Sequence, residues 1–288
     1  MKKDSVIPYF FILPIMTLFF LFIIYPLFIE IIYSFFNKKL GLKPVFVGFD
    51  NFVKLTNDPL YIHTLWNTFV PWCGVAVNIK MLLALLFANY LAETTRFRRV
   101  IRAIILLPWA LPLITCLSAW RWIWDPDWGV INRALQTFFA CPPLPLFAEY
   151  KSAFGLIILF HIWKWTPFWT LIFLGGLQGL PPSLYESAKI DGAGRFEIFK
   201  YITWPLIKPL YIICTLLSMV WTLGDFTTVW VLTQGAPAES THVLATLAYR
   251  YAFLHGDLST AYTSFTIILP LVLGMILILI RKIEGFLK

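Results

Sequence analysis

Charge is what this sequence has least of. Only 13% of its 288 residues are Asp, Glu, Lys or Arg, about half the share of an ordinary soluble domain. Hydrophobic residues reach 59% and mean hydropathy is +0.77, which excludes a water-surrounded globule and predicts a chain surrounded by lipid. Cysteine is scarce as well. Three of the four (Cys73, Cys116, Cys214) fall in apolar runs and Cys141 in an expected loop, so neither a disulfide framework nor a metal-ligand spacing follows. They read as small hydrophobes. No G-x-x-x-x-G-K-[S/T] phosphate cradle, H-E-x-x-H, G-x-S-x-G or paired-carboxylate motif occurs, so no catalytic residue is expected and the chain reads as non-enzymatic. The net charge of +8 comes without a basic helix or an aromatic-interleaved basic patch, which argues against nucleic acid as a partner.

Apolar runs and aromatics are what is present. Aromatic residues make up 18% of the chain, with 13 Trp, suiting membrane interfaces and a polar-aromatic solute path. Met1-Lys2-Lys3-Asp4 precedes an uncharged run from Val6 to Ile29, longer than a signal-peptide core and lacking a small-residue cleavage site. At helical rise this run reaches roughly 36 Å and is expected to be a retained first span. The apolar stretches predict six helices at about 8–36, 65–91, 102–124, 154–175, 208–233 and 260–281. Pro14, Pro26, Pro112 and Pro167 interrupt them, as kinked path-lining helices allow.

The cations orient these spans. With the N-terminus inside, thirteen Lys and Arg face the cytoplasm (Lys2, Lys3, Arg96, Arg98, Arg99, Arg102, Lys189, Arg195, Lys200, Lys208, Arg281, Lys282, Lys288). Seven face the other side (Lys38, Lys39, Lys43, Lys54, Arg133, Lys151, Arg250), and Lys80, Arg121 and Lys164 lie within spans. The positive-inside bias therefore predicts both termini to be cytoplasmic. Loops 37–64, 125–153 and 234–259 are then external.

The segment between the fourth and fifth spans is the most informative. Pro181 and Pro182 end a span, and Ser183 with Glu186 reads as a capping box opening a short helix. Gly192 is a natural residue just past its end. A second short amphipathic helix is expected with Phe196, Phe199 and Ile202 on one side, ending at Pro205. The two helices would form a cytoplasmic knob whose Ala188, Ala193 and Gly194 let a partner come close.

This segment resembles the EAA loop of binding-protein-dependent ABC importers, E-A-A-x-x-x-G followed by I-x-L-P. Glu186, Ala188, Gly192, Ile202 and Pro205 stand at matching positions, while Ser187 replaces the first Ala and Trp204 the Leu. Further similarities are Phe46-Val47-Gly48-Phe49-Asp50-Asn51-Phe52, Trp120-Arg121-Trp122-Ile123-Trp124 and Val231-Leu232-Thr233-Gln234-Gly235-Ala236-Pro237. Together they resemble the carbohydrate, maltose-permease-like branch.

The resemblance implies an all-α membrane protein with six transmembrane helices, the type I ABC importer permease fold. Residues 1–288 would form a single permease domain with a coupling loop at 179–207. It implies a multi-pass inner-membrane subunit that pairs with a second permease and with two ATPase subunits. An extracytoplasmic solute-binding protein would deliver a sugar or oligosaccharide. The chain itself would bind no cofactor, and ATP and Mg would sit on the partner ATPases. In that family the loop inserts into a cleft of the ATPase and its Glu pairs with an Arg there. Carried onto this chain, Ser183, Glu186, Ser187, Ala188, Asp191, Gly192, Ala193 and Phe196 form the coupling surface. The alternative to Glu186 as the coupling contact is a carboxylate that only caps its own helix.

Charges at membrane depth mark candidate sites. Asp225, with Trp221 and Thr222, reads either as a sugar contact, a carboxylate beside stacking aromatics, or as a structural pair of Lys164 or Arg121. Trp163, Lys164 and Arg121 complete the candidate solute path. His161 reads as a packing residue, and Lys80 as snorkelling or paired. Asp125 and Asp127 with Trp124 and Trp128 are either an interfacial belt or part of the binding-protein dock. Two other functions are open: an ABC permease for glycerol phosphate or a polyol, which would call for a cluster of cations, and a proton-coupled secondary transporter, which would not need the 186–205 spacing.

Overall fold

A computed structural model describes residues 7–93 and 98–287. Of the cations counted above, Lys2, Lys3, Arg96 and Lys288 lie outside the described residues.

Helices dominate. In order they are α1 (Tyr9–Ser34), the strands β1 (Phe36–Asn37) and β2 (Val45–Phe46), α2 (Asp50–Thr56), α3 (Pro59–Ala92), α4 (Val100–Ala110) and α5 (Leu113–Ile123). Then come α6 (Val130–Phe139), α7 (Tyr150–Gln178), α8 (Pro182–Ile190), α9 (Arg195–Leu223), α10 (Phe226–Leu232), α11 (Leu244–Tyr249) and α12 (Leu258–Gly285). Among the described residues α1, α3, α7, α9 and α12 are each long and apolar enough to cross a membrane; α4 and α5 make a sixth span only as a pair.

Pro112 interrupts the third span far more sharply than a kink. The helix expected at 102–124 bends by 93° between Ala110 and Leu113. Pro112 has no N–H to extend the ladder and its ring drives Leu111 out of the helical region. The fifth span is also displaced: it begins at Arg195 rather than 208, stops at Leu223, and breaks at Gly224–Asp225 before α10. Pro205 does not terminate a short helix as expected. A π-turn over Phe199–Thr203, with the Trp204 N–H donating to the Phe199 carbonyl, carries the helix past the proline. Widening the turn accommodates a ring that a regular turn would force against the carbonyl four residues back. A similar π-turn at Phe20–Ile24 precedes Pro26, and another at Thr68–Ala76 contains Pro71.

The chain separates into two compact units. The larger spans His63–Thr246 and Leu271–Lys288. Its core sets Val77, Met81, Ala84, Leu85 and Ala88 of α3 against Trp169, Phe173 and Leu177 of α7 and Ile207 and Cys214 of α9. The 3.6-residue periodicity puts the α3 residues on one face, and two of them are Ala, which lets the backbones approach closely. A second cluster joins Trp72 and Ala76 to Phe154, Ile157 and Phe160 and to Val229 and Leu232 of α10.

The smaller unit spans residues 1–62 and 247–270. Here the F-x-G-x-x-N segment finds its physical role. Asn51 Nδ2 donates to the carbonyls of Ser34 (2.8 Å) and Phe36 (2.9 Å), satisfying the C-terminal end of α1 where the chain turns into the hairpin. Tyr61 donates its hydroxyl to the Ser264 carbonyl (2.9 Å). Asp257 caps α12, accepting from Thr260 N–H (3.0 Å), the Thr260 hydroxyl (2.8 Å) and the Ser259 hydroxyl (2.9 Å). Partial burial pushes its carboxyl up, but these donors and nearby Lys54 outweigh it, and the net pKa lies below the ordinary value.

A carboxyl whose folded-state pKa is depressed stabilises above its unfolded pKa, and that contribution is lost as pH falls through the folded value. We therefore expect Asp257→Ala to lower unfolding stability by about 1 kcal/mol at neutral pH, with Asp257→Asn retaining most of the cap. Denaturant unfolding in detergent at neutral and at acidic pH checks this; the difference between wild type and Asp257→Ala should narrow as pH falls.

Candidate functional site

Two places carry the predicted residues, the knob at α8–α9 and a cavity along α3, α7 and α9. The knob opens differently from expectation. α8 starts at Pro182 with Pro181 at the cap position, and no side chain caps it. Ser183 therefore lies inside the first turn, and the expected Ser183–Glu186 capping box does not form. The reason is that Pro182 already supplies the fixed φ that starts a helix and has no N–H to satisfy. A capping contact occurs instead at the next helix, where Glu197 Oε2 accepts from Gly194 N–H (2.8 Å).

α8 ends where the sequence puts it. Gly192 adopts φ +81°, and Ala193 N–H returns to the Ala188 carbonyl (2.9 Å). This 6→1 bond closes the helix at a position that a side chain would strain. Ser183, Glu186, Ser187 and Asp191 are exposed, as is Phe196, at 75%. Ala188 is buried, so its small size serves packing inside the knob rather than a partner's approach; Ala193 is half-buried. Phe196, Phe199 and Ile202 do not share one buried side: Phe196 projects into solvent while Phe199 packs on the core. The π-turn begins at Phe199, so the helical phase changes between Phe199 and Ile202. Trp204 fills the space under the knob against Tyr211, ring centres 5.3 Å apart, and Tyr185 and Thr203 share a hydroxyl contact at 3.2 Å.

The cavity holds about 270 Å³. Lys80 of α3, His161, Trp165 and Trp169 of α7, and Ser218, Trp221 and Thr222 of α9 line it, with Asp225 at the break. Asp225 caps α10, accepting from the Thr228 N–H (3.1 Å) and hydroxyl (2.7 Å). Its Oδ2 lies 3.4 Å from His161 Nδ1, a close approach without hydrogen-bond alignment. Lys80 Nζ lies 2.9 Å from His161 Nε2. The indole of Trp72 stands 4.4 Å from the His161 ring and donates Nε1–H to the Thr222 carbonyl (2.9 Å), one of the acceptors freed where α9 ends.

So three of the predicted path residues, Trp221, Thr222 and Asp225, come together, and three do not. Lys164 is buried elsewhere, with its ammonium on the carbonyls of Pro108 (2.7 Å) and Leu111 (2.5 Å). It satisfies acceptors that the broken α4–α5 span leaves open, which makes it a structural clamp. Trp163 stacks on Trp120 at 5.6 Å, outside the cavity lining. Arg121 lines a separate pocket of about 210 Å³ with Asp125, Phe147 and Thr233. The pair expected for Asp225 was Lys164 or Arg121; it is His161 instead. His161 is thereby a cavity residue rather than only packing.

Sequence reading missed Ser218 and Trp169. Their signal was present as spacing: Ser218, Trp221, Thr222 and Asp225 fall at i, i+3, i+4 and i+7, and His161, Trp165 and Trp169 at i, i+4 and i+8. The turn at Leu232–Pro237 is explained by His242. Gly235 has φ +93°, and a Cβ there would run into the His242 ring. Burial pushes the His242 pKa down to about 4, so the ring is neutral, with Nδ1 paired to the Thr246 hydroxyl at 3.0 Å.

Residues 80–283 match the family of binding-protein-dependent transport system inner membrane components. The trehalose/maltose transport system permease protein MalF of Thermococcus litoralis is 35% identical, the match covering 93% of this chain and 91% of that one. The sn-glycerol-3-phosphate transport system permease protein UgpA of Pectobacterium atrosepticum is 29% identical over 98% of this chain and 95% of its own. Among solved structures, a bacterial alginate ABC transporter in complex with its pentasaccharide-bound periplasmic protein has a chain with TM-score 0.85 at 22% identity, covering 96% of this chain and 93% of that one.

If Lys164 is a clamp and not a solute contact, Lys164→Met should lower the midpoint of thermal unfolding by several degrees, because buried carbonyls lose their donor at about 1–3 kcal/mol. Solute affinity of the fraction that stays folded should be unchanged. Fluorescence-detected melting and ligand titration of the same sample check both.

Proposed function

The chain belongs to the family of binding-protein-dependent transport system inner membrane components, and on that premise we propose that it is one permease of an ATP-driven sugar importer. It forms, with a second permease, the path for a sugar or oligosaccharide handed over by an extracytoplasmic solute-binding protein. What carries this reading is that one chain combines a tryptophan-lined polar cavity on its spans with an exposed helical knob between the fourth and fifth. A flat indole face beside hydroxyl and carboxylate groups matches a pyranose, whose C–H faces are apolar and whose rim is polar. The 35% identity to a trehalose/maltose permease supports the sugar over the phosphate named for the more distant relative.

Two ATPase subunits, with ATP and Mg on them, supply the energy, and the knob is where it enters. Glu186 stands exposed on α8 beside Ser183, Ser187 and Asp191, with Ile190 (86% exposed) and Phe196 adding apolar surface. A carboxylate framed by apolar side chains suits a cleft offering an arginine. α9 continues from the knob to the cavity as one helix, so a push on the knob is delivered to Ser218, Trp221 and Thr222. Closure of the ATPases would bring the paired knobs together and reorient the cavity between the two sides of the inner membrane. In this orientation both termini and the knob are cytoplasmic, as the cation bias favours.

Glu186→Ala and Gly192→Val should each abolish sugar uptake while leaving insertion and pairing with the second permease intact. ATP hydrolysis by the assembled importer should lose its stimulation by loaded binding protein. Uptake at the normal rate in both variants contradicts the coupling role. Uptake that survives ATP depletion and follows the proton gradient contradicts the importer reading.

A further inference from the structure

Charge bookkeeping inside the cavity goes one step beyond a generic sugar path, and rests on the reading of the cavity as that path. A lysine ammonium carries donors only, so with Lys80 in that form, 2.9 Å away through its Nζ, the His161 Nε2 accepts. The ring proton of a neutral His161 is then on Nδ1, the atom that faces Asp225 Oδ2 at 3.4 Å. The Thr228 N–H and hydroxyl each donate to one of the carboxylate oxygens. One ammonium and one carboxylate, bridged by a neutral imidazole, sum to zero.

No spare cation stands beside them. Lys80 is the one cation lining the cavity among the described residues; Lys164 is committed to the α4–α5 carbonyls and Arg121 to another pocket. An acidic solute entering here finds its only cation already compensated and meets a carboxylate. Bringing an uncompensated charge into a poorly hydrated site is costly. An uncharged sugar meets no such barrier. Ser218 lines the cavity, and its buried hydroxyl, without a hydrogen-bond partner among the described residues, is available to a sugar hydroxyl. Trp165, Trp169 and Trp221 offer it aromatic surface.

We infer that Lys80, His161 and Asp225 form a closed, electrically neutral set that makes the cavity select uncharged sugars against acidic ones. In this role Asp225 sets charge balance rather than serving chiefly as a ligand for sugar hydroxyls. Lys80 and His161 are specificity-determining through the same balance.

The test measures equilibrium binding of maltotriose and of trigalacturonate to the full chain in nanodiscs, without a binding protein, so that no other subunit filters the solute. Wild type should favour maltotriose by about tenfold or more, the weight of a ~1.4 kcal/mol charge penalty. Asp225→Asn keeps a good helix cap but leaves Lys80 uncompensated, and should bring the ratio to about one or below. Adding Lys80→Met to Asp225→Asn restores neutrality and should restore the preference for maltotriose. The inference is overturned if wild type binds both sugars equally, or if Asp225→Asn weakens both without changing their ratio. Binding of neither sugar, with Ser218→Ala also without effect, removes the cavity from the path and overturns the underlying reading with it.

Discussion

The contact on which the rest depends is the one between Asp225 and His161, because it lies where the fifth span stops being a helix. A break at membrane depth exposes carbonyls and N–H groups that lipid cannot satisfy, so it persists only where protein supplies partners. Here Asp225 caps the helix that follows, Trp72 donates to a carbonyl of the helix that precedes, and Lys80 offsets the carboxylate's charge across the neutral His161 ring. The same groups that make the break tolerable also furnish one wall of the cavity. On the proposed reading of the cavity as a sugar path, structural satisfaction and solute recognition draw on one set of side chains.

The other broken span follows the same rule with different chemistry. Between α4 and α5 the freed carbonyls are met by the Lys164 ammonium, a compact cation reaching several acceptors at once. Prolines elsewhere are absorbed by π-turns, which keep the helix continuous at the cost of its phase. At Phe199–Thr203 this leaves the α9 half of the knob and the cavity wall on one unbroken helix. A helix terminated at Pro205 would have placed a loop between the two.

Much of this was legible in the sequence, for reasons that can be named. The spans show through their apolar runs, and Gly192 shows because a left-handed residue past a helix end is nearly always glycine or asparagine. Asn51 belongs to a recognisable segment, and its role in satisfying α1 became clear once the carbonyls of Ser34 and Phe36 were located. What stayed hidden depended on partners distant in the chain. Asp225 stands out as an intramembrane charge, yet its partner sits 64 residues away on a helix whose rotation the sequence does not fix. Lys164 and Asp225 look alike as intramembrane charges, and only the bend at Pro112 separates a clamp from a cavity wall. The Ser183–Glu186 pattern fitted a capping box, but Pro182 already starts that helix.

The most direct measurement is a cryo-electron microscopy structure of the assembled importer trapped with its sugar. The account predicts sugar density in van der Waals contact with Trp169 or Trp221 and within hydrogen-bond reach of Ser218, with Lys80, His161 and Asp225 still joined behind it. Sugar bound elsewhere, with the α9 cavity filled by the second permease's side chains, would contradict it.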